Sequence, residues 1–231
     1  MTPLPAPLLS LCDGVIFDCD GVLVDSERIS NGVWARLLSE AGLPMTTEQS
    51  LGIFLGNSMA TCVAIATDML GHALPDSLLD RFHAITTIEL ARDLVAVNGV
   101  VSLLDALDAA GVRYAVASNG EHEKMATTLG KTGLASRFEG RRFSSLDVGK
   151  PKPAPDLFLY AAAKMGFTPS RTIVVEDSPL GVQGASTAGM TVIGYAEIVA
   201  AERLRSAGAT VTVSNLMAVL PLLGLDIRKR A

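Results

Sequence analysis

Asp18 and Asp20 stand two residues apart in the run Gly14-Val-Ile-Phe-Asp-Cys-Asp-Gly-Val-Leu-Val-Asp-Ser-Glu27. Val15, Ile16 and Phe17 ahead of them are apolar and partly β-branched, the composition of a short buried strand. Residues i and i+2 of an extended chain share a face, so both carboxylates are expected to leave the strand end on one side, just before a turn at Gly21. Two anions about 4 Å apart repel by about 4 kcal/mol at an effective dielectric of 20. Something cationic is expected between them, and a divalent metal with a bound phosphate accounts for both the charge and its position. A bare Asp-x-Asp is also ordinary turn composition, so the pair does not decide the matter alone.

More residues of this kind follow downstream. Ser118-Asn119-Gly120 closes an apolar run over residues 112–118, and Glu176-Asp177 closes another over residues 172–176. Lys152 lies in the loop over residues 147–156, after a short strand near Arg142-Phe143. The elements that must position them alternate. Helices are expected over residues 100–110, 121–131, 157–165 and 180–188, and strands over 112–118, 172–176 and 191–194. The tail adds a helix over 197–207, a strand over 210–213 and a last helix ending near Leu223. Strands alternating with helices indicate an α/β fold with a doubly wound parallel sheet. In such sheets ligands bind outside the carboxyl ends of the strands, the end to which all these polar residues map.

Between the first strand and this alternation the pattern is helical throughout. Trp34, Leu37, Leu38 and Ala41 recur at helical spacing. A second helix is expected after Asn57-Ser58, with either residue as its cap, and a third from Pro75-Asp76 to near Val97. The expected organisation is a core domain from residues 9–27 and 98–231 with an all-helical insertion over residues 28–97.

Composition bounds the partners. The chain has 231 residues with a net charge of −5, which lends a nucleic-acid partner no electrostatic support. Cys12, Cys19 and Cys62 have neither metal-ligand spacing nor a disulfide framework. No uninterrupted stretch reaches membrane-spanning length, and the Pro-rich start lacks the basic residues of a signal peptide. A cytoplasmic monomer is expected.

The run around Asp18 closely resembles the first motif of the haloacid dehalogenase-like hydrolases, in their phosphatase branch. Ser118-Asn119-Gly120 is similar to the second motif, Lys152 in Gly-Lys-Pro-Lys-Pro-Ala-Pro-Asp to the third, and Glu176-Asp177-Ser178-Pro179 to the fourth. Lys150 competes with Lys152 for the third, and the Pro-Ala-Pro-Asp that follows favours Lys152. The insertion directly after the first motif matches the subgroup with a helical cap.

The resemblance implies a phosphatase working through an aspartyl-phosphate. Asp18 is then the nucleophile, Asp20 the acid and base, and Ser118, Asn119 and Lys152 the phosphoryl contacts. Mg²⁺ is the implied cofactor, held by Asp18, the Asp20 backbone carbonyl and Asp177, with Glu176 as a direct ligand or a support behind one. Dehalogenases of the family lack the second aspartate. Its β-phosphoglucomutases carry a cap arginine and a histidine where this chain has Met59 and Ser30.

Around Ser118–Lys131 the chain looks most like the 6-phosphogluconate phosphatase subgroup, which implies a small phosphorylated sugar or sugar acid as substrate. Lys124 and Arg28 are candidate contacts for a second anionic group. The alternatives are a phosphosugar mutase and, from another class, a catalytically idle phosphosugar-binding module.

Overall fold

A computed structural model describes residues 12–225, Gly56 excepted. Six strands form one parallel sheet: β1 (Gly14–Phe17), β2 (Tyr114–Ser118), β3 (Arg142–Ser144), β4 (Thr172–Glu176), β5 (Thr191–Tyr195) and β6 (Val211–Val213), in the order β3-β2-β1-β4-β5-β6. β1 lies in the middle, with Ile16 opposite Ala115 on one side and Val174 on the other. The strand order reverses direction at β1, which makes its carboxyl end the switch point where a crevice forms.

The strands are almost continuously apolar because both faces are covered. Val15, Phe17, Tyr114, Val116, Ile173 and Val175 face one layer; Ile16, Ala115, Ala117 and Val174 face the other. The first layer is built by α5 (Val100–Ala109), α6 (His122–Lys131) and α10 (Val219–Leu222), the second by α7 (Asp156–Met165), α8 (Pro179–Thr187) and α9 (Ala201–Ser206). The expected α/β fold with a doubly wound parallel sheet is the observed one.

Four helices lie between β1 and α5: α1 (Ser26–Glu40), α2 (Thr47–Phe54), α3 (Met59–Leu70) and α4 (Leu78–Asp93). They bury a hydrophobic cluster of their own around Trp34, Leu37, Leu38, Phe54 and Phe82. The indole of Trp34 stands edge-on to Phe54 at 6.0 Å and to Phe82 at 5.4 Å. The chain leaves and re-enters the core through two adjoining segments. Val24 pairs with Ala96 in an antiparallel bridge, Asp25 N donates to Val95 O at 3.0 Å, and Val97 N donates to Leu23 O at 3.1 Å.

Two expectations need correction. α2 was not expected: its sequence has no long apolar stripe, and it is nucleated by a capping box between Thr46 and Gln49. The helix expected over 197–207 starts only at Ala201. Glu197 ahead of it is drawn out of helical geometry by bonds from Tyr195 Oη (2.7 Å) and Arg28 (3.2 Å). Residues 1–11 and 226–231, at the margins of the expected core domain, lie outside the described residues. Among the described residues no single helix is long and apolar enough to cross a membrane.

Candidate active site

Asp18 follows β1 directly, and its backbone N–H continues the ladder to Val175 O at 3.0 Å. Its carboxylate is buried, 7% exposed, and accepts a bond from the Lys152 ammonium. Lys152, itself 6% exposed, also donates to Glu176 Oε1 at 2.8 Å and to Ala117 O at 2.9 Å. An ammonium has three hydrogens, so all three are engaged. Lys150, the competing lysine, pairs instead with Asp156 at 2.9 Å.

Asn119 fixes the Lys152 loop: its Oδ1 accepts from Lys152 N at 2.8 Å. Asn119 lines the cavity beside Ser118 with its side chain turned to the loop backbone. Ser118 is different. Its Oγ accepts from Gly120 N at 3.0 Å, which leaves the hydroxyl proton free to donate. Ser144 Oγ and Ser145 Oγ clamp the same turn through Gly120 O (2.7 Å) and Asn119 O (3.1 Å).

Asp18 and Asp20 each have a lysine of their own. Asp20 Oδ2 accepts from Lys124 Nζ at 2.8 Å and Oδ1 from Ser26 Oγ at 2.7 Å. Burial alone would raise the Asp20 carboxyl, but the Lys124 ammonium and these two bonds outweigh it and hold the group below the usual carboxylate range. Lys124 lines the cavity with its charge paired to Asp20. Arg28 does not line the cavity; it is half exposed and pairs with Glu197 at 3.2 Å and Asp25 at 3.5 Å.

Asp18, Glu176 and Asp177 each bring a carboxylate oxygen to within 4.8 Å of the others. Both oxygens of Glu176 accept bonds: Oε1 takes Lys152, and Oε2 takes the N–H and Oγ–H of Ser178 at 2.8 and 3.0 Å. Among the described residues no donor reaches Asp177. Burial, with the charges of Glu176 and Asp18, pushes its carboxyl well up. Burial also drives Asp18 up to about 7 against the pull of Lys152. Three carboxylates against one ammonium leave a charge deficit that a hard, oxygen-loving divalent cation suits. Two glycines make room for this. A Cβ on Gly21, whose φ is +83°, would stand 2.0 Å from Asp177 Oδ2, and one on Gly181 would stand 1.6 Å from Glu176 Oε1.

Above the carboxylates lies a cavity of about 540 Å³, floored by Asp18, Asp20, Ser118, Lys152 and Asp177. Its helical wall includes Glu27, Ser30, Asn31, Trp34, Phe54 and Met59. Glu27 and Asn31 were not singled out from the sequence. The signal was present, since residues 27, 30, 31 and 34 recur at helical spacing on α1. Burial and the charge of Asp20 push Glu27 up to about 7.

Comparisons with known proteins agree on the family. A family model described as haloacid dehalogenase-like hydrolase matches residues 15–195. The 6-phosphogluconate phosphatase of Escherichia coli K12 is 32% identical over 191 residues, 81% of this chain and 84% of that protein. Hexitol phosphatase A of the same organism is 30% identical over 185 residues, 79% of this chain and 82% of that one. A family hydrolase from Deinococcus radiodurans R1, solved with bound phosphate and sodium, superposes with a TM-score of 0.80 at 30% identity, covering 92% of this chain and 95% of that one.

Proposed function

The chain belongs to the haloacid dehalogenase-like hydrolases, and from that premise we propose that it hydrolyses the monophosphate of a small sugar or sugar derivative, with Mg²⁺, through an aspartyl-phosphate on Asp18. One observation carries this reading. The buried Asp18 sits between Lys152 and two further carboxylates at the floor of a cavity of about 540 Å³, with a second, separately held aspartate beside it.

In the first half-reaction a carboxylate oxygen of Asp18 attacks phosphorus and the bond to the leaving oxygen breaks. The negative charge of the entering phosphate raises Asp20, which then carries the proton that this oxygen takes up. In the second, water attacks phosphorus, its proton passes to Asp20, and the bond to Asp18 breaks to release inorganic phosphate. Lys152 and the Ser118 hydroxyl face the phosphoryl oxygens as charge shifts among them. Asp18, Asp177 and the Asp20 carbonyl would hold the metal, which when bound neutralises phosphoryl charge. Glu176, with both oxygens engaged, serves behind them by holding Lys152 and Ser178 in place. The helices over residues 28–97 form the cap that encloses the leaving group and keeps bulk water from the first step.

The mutase alternative gains no support from the cavity wall. A bisphosphate intermediate needs a second cationic site, and Met59 and Ser30 line the positions expected to carry arginine and histidine. Phosphate release from p-nitrophenyl phosphate tests the reading. Activity is expected with Mg²⁺, is lost on chelation, and falls by more than about 10⁴-fold in Asp18→Asn. Metal-independent turnover, or turnover that survives Asp18→Asn, overturns it.

A further inference from the structure

The chemistry proposed above uses the floor of the cavity and leaves its helical wall unexplained. Asn31 is buried there, and both ends of its amide are spoken for. Its Nδ2 donates to Glu27 O at 3.0 Å and to Glu27 Oε2 at 3.2 Å, and its Oδ1 accepts from Ser50 Oγ at 3.0 Å. Ser50, on α2, is fully buried. The pair fixes Glu27 from behind through one oxygen. Among the described residues no donor reaches the other, Oε1. Among the described residues two lysines and no arginine or histidine line the cavity, and both lysines are already bonded to carboxylates: Lys152 to Asp18 and Glu176, Lys124 to Asp20.

We propose that Glu27 accepts a hydroxyl of the substrate's leaving group, and that the cavity selects monophosphates of neutral sugars or polyols over phosphorylated sugar acids. This rests on the phosphatase reading and narrows its substrate class. A carboxylate at the far end of the substrate would be brought against the Glu27 carboxyl, with no uncommitted cation among the described lining residues to meet it. Turning Lys124 toward such a group would strip Asp20 of its counter-charge. A hydroxyl needs no counter-ion, and it matches Glu27 whether the carboxyl is ionised or protonated. The aromatic edge of Trp34 and Phe54 beside these groups suits the carbon chain that carries the hydroxyls.

A hexitol 6-phosphate and 6-phosphogluconate differ at the far carbon as CH₂OH and COO⁻, which makes them the discriminating pair. With phenyl phosphate, which offers no hydroxyl, they complete the test. The wild-type kcat/KM is expected to favour the hexitol phosphate over 6-phosphogluconate by at least about tenfold, chiefly through KM. In Glu27→Gln, of the same shape, the value for the hexitol phosphate falls about tenfold relative to phenyl phosphate, and the discrimination against 6-phosphogluconate shrinks. A wild-type preference for 6-phosphogluconate, or a variant that scales all three substrates alike, overturns the inference while leaving the phosphatase reading intact. Phosphate release from none of the three overturns both.

Discussion

Lys152 and Lys124 divide the work between two aspartates that lie two residues apart. One ammonium is buried among Asp18, Glu176 and a main-chain carbonyl; the other reaches Asp20 from the first turn of α6. Lys124 has a measurable effect on its partner. Removing its charge and its hydrogen bond in Lys124→Met leaves burial as the dominant influence on Asp20, so the carboxyl rises. A carboxyl-carbon NMR titration of the metal-free protein reads this directly; an unmoved Asp20 would show that Lys124 does not set its charge. Much of this was legible in the sequence, because Asp18, Asp20, Lys152 and Asp177 announce themselves through residue type and their place after strands. The partner each lysine would choose was not legible. It depends on where a loop and a helix end come to rest, and spacing along the chain does not encode that. Glu27 escaped for a related reason: a carboxylate on an amphipathic helix looks solvated until the opposite wall is known.

Helix α8 carries Gly181 against the Glu176 carboxylate, and the closeness of that approach has a cost if it is disturbed. In Gly181→Ala the new methyl would overlap Glu176 Oε1, at 1.6 Å. Either the helix retreats or the carboxylate turns away from Lys152. A loss of about 1–3 kcal/mol is expected from overpacking, with weaker Mg²⁺ binding, measurable by denaturant unfolding and by calorimetric titration of the metal. Full stability and full metal affinity in the variant would refute that account. At this scale the strands were the easiest elements to anticipate; β4 covers the residues 172–176 around its apolar Ile173-Val174-Val175. α2 was missed because its eight residues bury only Ser50, Leu51 and Phe54, too few for a period to show, although Thr-x-x-Gln ahead of it is the signature of a helix start. The early start expected for α9 failed because a carboxylate with two partners outside the helix overrode local propensity.

The molecule as a whole carries a concentration of like charge at one sheet edge, and this sets its response to pH. Asp18 and Glu27, each raised to about 7, and Asp177, also raised, hold protons in the folded state that the unfolded chain releases near the ordinary carboxylate range of about 4. Between those limits the native state binds more protons, so stability falls as pH rises. Asp20, held below the ordinary range, works in the opposite sense: its contribution is present above about pH 4 and fades below it. The metal-free protein is therefore expected to melt at a lower temperature at pH 8 than at pH 5.5. Mg²⁺ competes with the same protons, so its stabilising effect should be larger at pH 8. At a hundredfold excess over Kd the gain is about 2.7 kcal/mol, or about 5–10 °C in Tm for a chain of this size. Equal shifts at both pH values at one fixed Mg²⁺ concentration, measured by scanning calorimetry, would contradict this. One more consequence follows from the place where the polypeptide crosses out of the sheet region and back. Leu23 and Asp25 are joined to Val97 and Val95 by main-chain bonds, so what lies between them begins and ends at nearly one point. Closing a flexible excursion adds only about 0.6 kcal/mol for each doubling of its length. Nature or an engineer can therefore exchange that excursion for one of another size or shape without re-spacing the residues that handle phosphate, and selectivity can change while the reaction stays the same.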